Sequence, residues 1–137
     1  MNIAFFLLPK EHVICLNETS TMRQALERME YHRYTAVPII NKNGKYVGTI
    51  TEGDLLWKLK GTPNLTFDNC NKVPVLDVPR RMHIEPVRIY AQVEDLFSKA
   101  VHQNFVPVID DQDHFIGIIR RSDIIEHLLK QTVYKEV

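Results

Sequence analysis

The sequence predicts an α+β fold made of two copies of one β-α-β-β-α unit, related by a pseudo-twofold axis. Two observations carry this expectation. Residues 37–56 (VPIINKNGKYVGTITEGDLL) recur without a gap as residues 106–125 (VPVIDDQDHFIGIIRRSDII). The register sets Val37 on Val106, Pro38 on Pro107, Gly48 on Gly117, Ile50 on Ile119 and Asp54 on Asp123. Within each copy, short apolar runs of strand character alternate with apolar stripes at helical spacing.

In the first copy, residues 13–16 form an apolar run with strand character. Thr21 and Gln24 then stand at capping-box spacing, where hydroxyl and amide satisfy each other's unpaired backbone N–H groups. Met22, Ala25, Leu26 and Met29 continue as the apolar stripe of a helix reaching about Tyr31, so both methionines read as core. Residues 37–40 and 46–51 are strands joined through Asn43-Gly44, a hairpin signal because both positions tolerate positive φ. Leu55, Leu56 and Leu59 mark a second helix ending near Gly61, a residue suited to a C-cap. The stretch from Gly61 to Arg81, with Pro63, Pro74 and Pro79, keeps Val73, Val75, Leu76 and Val78, so it reads as a joint rather than a disordered linker.

The unit restarts at His83. Ile84, Val87 and Ile89 make a strand, and Val93, Leu96, Phe97, Ala100 and Val101 a helical stripe. Residues 105–109 and 115–119 form the hairpin, and Ile124, Ile125, Leu128 and Leu129 the last helix. The second copy is two residues shorter before its hairpin. The expected division is residues 1–62 for an N-terminal segment and the first repeat, 63–81 for the connector, and 82–137 for the second repeat.

Composition narrows the function. The 137 residues carry 17 basic and 17 acidic side chains, so no net field would hold a nucleic acid. The apolar run at residues 3–8 is far shorter than the roughly 20 residues of a membrane span, and it lacks the flanks of a signal peptide. It reads as an element docking on the body of the fold. Cys15 and Cys70 match no metal or redox spacing and are simplest as reduced thiols in a cytoplasm. The six histidines show no paired metal-ligand spacing, and no phosphate loop or nucleophile with a base points to an enzyme. Trp57 and Tyr31 fit either the core or a dimer interface.

The chemistry concentrates where a strand turns into a helix. Thr51 and Asp54 lie one helical turn apart at the first such corner, beside backbone N–H groups that favour anions. The carboxylate suits vicinal ribose hydroxyls, and the hydroxyl suits a phosphate oxygen. The same Thr-x-x-Asp spacing also describes a plain helix cap. At the second corner Asp123 is kept, but Arg120 replaces the threonine and Arg121 follows. Arginine forks bind phosphate bidentately; the alternative is that both project into water.

The repeated apolar-Pro-Val/Ile motif followed by apolar-Gly-x-apolar-Thr-x-x-Asp resembles the CBS domain, and the tandem resembles a Bateman module, over about residues 13–131. The resemblance implies a regulatory module binding an adenine nucleotide (AMP, ATP or cyclic-di-AMP) in clefts between the repeats. It implies that backbone around Thr35, Ala36, Val37 and Pro38 reads the adenine, that Thr51 and Asp54 hold phosphate or ribose, and that Val13 and Ile14 flank the base. In the second copy the corresponding positions are Phe105, Val106, Pro107 and Asp123. Small stand-alone modules with an arginine pair such as Arg120-Arg121 resemble bacterial receptors for cyclic-di-AMP. A homodimer formed through helices and a separate partner protein as output are further implications. The alternative is a ligand-free interaction module of the same fold. No cofactor or metal is expected.

Overall fold

The computed structural model describes residues 1–135. In chain order it contains a 3-10 turn (Ile3–Phe6), β1 (Leu8–Pro9), a 3-10 turn (Lys10–His12), β2 (Leu16–Asn17), α1 (Met22–His32), β3 (Ala36–Ile40), β4 (Tyr46–Thr51) and α2 (Glu52–Gly61). Two 3-10 turns (Cys70–Lys72 and Val75–Asp77) lead to β5 (Val87–Arg88), α3 (Val93–Ala100), β6 (Phe105–Ile109), β7 (Phe115–Arg120) and α4 (Arg121–Lys135). The elements group into two units, one of residues Ile14–His83 and one of Met1–Val13 together with the chain from Ile84 onward.

In the first unit β2 runs parallel to β3 and β3 antiparallel to β4, with Ala36 opposite Thr51 and Val37 opposite Ile50. The expected strand at residues 13–16 contracts to Leu16–Asn17. The Thr21–Gln24 capping box forms as the spacing predicts: Gln24 N–H donates to the Thr21 hydroxyl (3.2 Å) and Thr21 N–H to the Gln24 amide oxygen (2.9 Å). Met22, Ala25 and Met29 of α1 pack with Val37, Ile39, Ile50 and Leu55. Cys70, Val75 and Val78 of the connector complete that same core. The connector therefore closes the first unit, because its apolar residues fill space the hairpin and helices leave open.

Two local expectations change. Of Asn43 and Gly44, the glycine alone takes a positive φ (78°); the hairpin loop wraps the Asn41 side chain, whose oxygen accepts from the N–H groups of Asn43 (2.9 Å) and Lys45 (3.0 Å). The side chain reinforces the backbone turn that Gly44 N–H closes on the Asn41 carbonyl (3.0 Å). Gly61 is the last helical residue rather than a left-handed cap, and α2 runs out into extended Thr62.

The second unit has the sheet order β1-β7-β6-β5. The N-terminal segment docks here, on the second repeat, not with the first repeat that it precedes in sequence. Leu8 pairs with Ile118 and Pro9 with Gly117, while Ile3 and Phe6 enter a core with Leu96, Val106, Ile119 and Ile124. The edge of β7 offers unpaired backbone groups beside an apolar surface, and an apolar segment that covers both removes an aggregation-prone edge.

The duplication extends to these flanking strands. Leu16 pairs with Ile39 as Val87 pairs with Val108, so Leu16 matches Val87, and Pro9 by the same offset matches Arg80. Pro9 lies against Gly117, and the Arg80 guanidinium lies against the equivalent Gly48, donating to the Val47 carbonyl at 3.2 Å. The segment before each repeat thus covers the hairpin of the other.

The second hairpin copies the first with a charged residue. Asp110 replaces Asn41, accepting from the N–H groups of Gln112 and His114 (both 2.9 Å), and Asp113 adopts φ 68° in place of Gly44. Desolvation pushes the Asp110 carboxyl up. The N–H groups of His114 and Gln112 and the His114 ring outweigh it and hold the group below the usual carboxylate value. A depressed folded pKa means the contribution is present above the unfolded value and is lost as pH falls through the folded one. Asp110→Asn should keep the loop, as Asn41 does, and lose this acid sensitivity. Thermal midpoints at pH 7 and about pH 3 should differ less in the variant than in the wild type; an equal difference would refute the assignment.

Candidate functional site

At the first corner β4 ends in Thr51 and α2 begins. Asp54 N–H donates to the Thr51 hydroxyl (3.2 Å), and Thr51 N–H donates to Asp54 Oδ2 (2.9 Å). The cap reading of Thr-x-x-Asp is therefore realised. The connector adds a third bond: Arg81 N–H donates to Asp54 Oδ1 (3.0 Å). Asp54 is 3% exposed, a buried carboxylate made tolerable by these donors at the positive end of α2. Each of its oxygens still has one acceptor position beyond these bonds.

The β3 residues stand beside this corner. Glu52 N–H donates to the Thr35 carbonyl (3.0 Å), and Ala36 lies opposite Thr51. Thr35, Ala36, Thr51 and Asp54 are thus gathered in one place, while Val37 and Pro38 are buried behind them. Ile14 lies in the same unit but lines a different cavity, of about 800 Å³, between β2 and α1. The boundary between units separates it from Val13.

At the second corner the arginines split their roles. Arg120, opposite Phe105, forks onto Asp123 through Nε (2.8 Å to Oδ2) and Nη2 (3.4 Å to Oδ1). Arg121 turns back to bond Asn104 Oδ1 (2.5 Å) and the Ala100 carbonyl (3.4 Å), placing its charge at the C-terminal end of α3, where the helix dipole favours it. Neither arginine simply projects into water. Val106 and Pro107 are buried in β6 with Phe105.

Each corner adjoins a cavity. That beside Asp54, about 220 Å³, runs between α2 and the connector and is bounded by Trp57, Lys58, Pro79 and Arg81. The Arg81 guanidinium and Lys60 ammonium stand 5.2 and 5.3 Å from the Trp57 ring centre. That beside Asp123, about 450 Å³, is bounded by Phe5, Arg120, Glu126, His127 and Lys130. There His127 packs against Phe5 and Phe6, with ring centres 5.3 and 5.2 Å away, and its Nε2 is buried without a partner among the described residues. Arg81 forms a wall of this corner although nothing in the composition of the connector marks it as one. Among the described residues no cluster of three or more His, Cys, Asp or Glu could hold a metal, and no helix is long and apolar enough to cross a membrane.

Comparison with known proteins bears on these corners. The CBS domain family model matches residues 7–61 and 75–130, each match taking in the flanking segment that precedes its repeat. A crystal structure of CbpB in complex with c-di-AMP is 28% identical, with a TM-score of 0.84, over all of this chain and 91% of that one. CbpB from Streptococcus agalactiae is 30% identical, with a TM-score of 0.77, over 90% of this chain and 77% of that one. A homoserine O-acetyltransferase from Methanocorpusculum labreanum is 25% identical over 76% of this chain, which spans 20% of that enzyme. The chain spans 49% and 65% of two further curated relatives. Two matches covering most of the chain, on two β-α-β-β-α units with an aspartate at each corner, make this protein a member of the CBS domain family, a tandem pair of CBS domains.

Proposed function

We propose that this CBS pair is a regulatory module that binds an adenine nucleotide, and that the nucleotide is cyclic-di-AMP. The observation that carries the reading is the full-length likeness to CbpB, a protein crystallised with c-di-AMP, in a chain with an arginine pair at its second corner. At the first corner the remaining acceptor positions of Asp54 take ribose hydroxyls, the Thr51 hydroxyl takes a phosphate oxygen, and the backbone of residues 35–38 reads the base. At the second, the Arg120–Asp123 pair is half exposed, and such pairs contribute only about 0–1 kcal/mol. A phosphate can therefore replace Asp123 on the Arg120 fork at little cost.

Signalling is then a shift of population between conformations, read by a partner protein in the cytoplasm or through self-association. Leu56 on α2, and Ile125, Leu128, Leu129 and Val133 on α4, are exposed apolar residues, the last four sharing one helical face. They suit a homodimer formed through the helices.

A thermal-shift panel of AMP, ADP, ATP, NAD, S-adenosylmethionine, GTP and cyclic-di-AMP tests the reading. A ligand at about a hundred times its Kd adds roughly 2.7 kcal/mol, a shift of several degrees at this size. Cyclic-di-AMP should give the largest shift. A flat panel would favour the ligand-free interaction module, in which Asp54 serves only as the acceptor of the Thr51 and Arg81 N–H groups.

A further inference from the structure

We propose that the groove between α2 and the connector is a phosphate site, with Arg81 and Lys58 as its ligands and Trp57 as its floor. The proposal takes from the nucleotide reading only the source of the phosphate, and it moves the phosphate contact of the first repeat from the helix start to the connector.

The charges of the corner cavities separate them. Around the cavity beside Asp123, Arg120 is paired with Asp123 and Lys130 with Glu126 (3.5 Å), so an anion there has to displace a carboxylate first. Around the cavity beside Asp54, the only lining carboxylate is buried and bonded to the N–H groups of Thr51 and Arg81. Among the described residues, neither the Arg81 guanidinium nor the Lys58 ammonium has a hydrogen-bond or ion-pair partner. Arg81 is also held on two sides. Its backbone is fixed to Asp54, and its guanidinium stands over the Trp57 ring, leaving its fork ordered before an anion arrives. Lys58 follows Asp54 by one helical turn, on the face of α2 turned to the groove. The Lys60 ammonium, also near Trp57, adds to the positive field. A cavity of about 220 Å³ admits a phosphate group together with part of what it is attached to, not a whole dinucleotide. The occupant is thus the phosphate of a nucleotide whose remainder lies elsewhere, or a free phosphate compound.

Trp57 is the only tryptophan in the chain, so its fluorescence reports on this groove without labelling. The experiment titrates the full chain with inorganic pyrophosphate, AMP and cyclic-di-AMP at constant ionic strength. It compares wild type with Arg81→Met, Arg81→Lys and Lys42→Met, the last removing one charge from the first hairpin loop. Arg81→Met keeps the backbone bond to Asp54, and circular dichroism confirms its fold. A saturable change in Trp57 emission is expected, with affinity falling at least tenfold in Arg81→Met, partly restored in Arg81→Lys and within twofold of wild type in Lys42→Met. Binding of cyclic-di-AMP that is equal in wild type and Arg81→Met, or that calorimetry detects without any Trp57 response, would overturn the phosphate site and leave the nucleotide reading intact. An Arg81-dependent response to pyrophosphate with none to either nucleotide would uphold the site, assign it to a free phosphate compound and overturn the nucleotide reading. A silent Trp57 with all probes would overturn the site.

Discussion

Gly117→Ala should destabilise the protein by about 3 kcal/mol, roughly a 10 °C fall in Tm, whereas Gly48→Ala at the equivalent position of the first repeat should cost under about 1 kcal/mol. A Cβ at Gly117 would collide with the Leu8 carbonyl oxygen and come within 2.8 Å of Leu7 Cδ1, on a residue whose φ of 155° already disfavours a side chain. The obstacle is backbone, held by the β1–β7 pairing and by Ile3 and Phe6 in the core behind it. Relief requires the N-terminal segment to lift, exposing the β7 edge. A Cβ at Gly48 would instead collide with the Arg80 guanidinium, the far end of an exposed and flexible side chain that can swing aside. Chemical denaturation of both variants measures the contrast; equal costs would mean that the N-terminal segment does not hold the second repeat together.

Asp54→Ala should cost about 3 kcal/mol in stability and at least tenfold in nucleotide affinity. The stability term comes from two partly buried backbone N–H groups, of Thr51 and Arg81, left without their acceptors, and from the space vacated by the buried Asp54 side chain. The affinity term comes from charge-assisted bonds to ribose, worth about 1.5–3 kcal/mol. Asp54→Asn is not a silent substitution. It can present oxygen to one of these N–H groups but turns an NH₂ toward the other, so it should fall between wild type and alanine in stability. Calorimetric binding of the folded fraction separates the two terms. An affinity unchanged in Asp54→Asn, with stability reduced, would make Asp54 a cap and nothing more.

The sequence made the repeat legible because Pro, Gly and Asp recur at fixed offsets inside matching apolar patterns. The Thr51–Asp54 contact was legible for the same reason, since capping-box spacing is a local rule. What stayed hidden was long-range. Pro9 against Gly117 and Arg80 against Gly48 obey the same duplication, but two-residue strands and a lone side chain carry no periodicity of their own. Arg81 reaches Asp54 through its backbone N–H, a donor every non-proline residue has, so no residue type announces it. The fates of Arg120 and Arg121 likewise depended on Asp123, Asn104 and the end of α3, which only the folded chain brings together.

The most direct test of the nucleotide reading is isothermal titration calorimetry of the wild-type chain with cyclic-di-AMP, followed by competition with AMP and ATP. Saturable binding of cyclic-di-AMP, at least tenfold tighter than AMP or ATP, is the predicted result. Absence of heat and of any competition at millimolar ligand would contradict it and leave the pair as an interaction module.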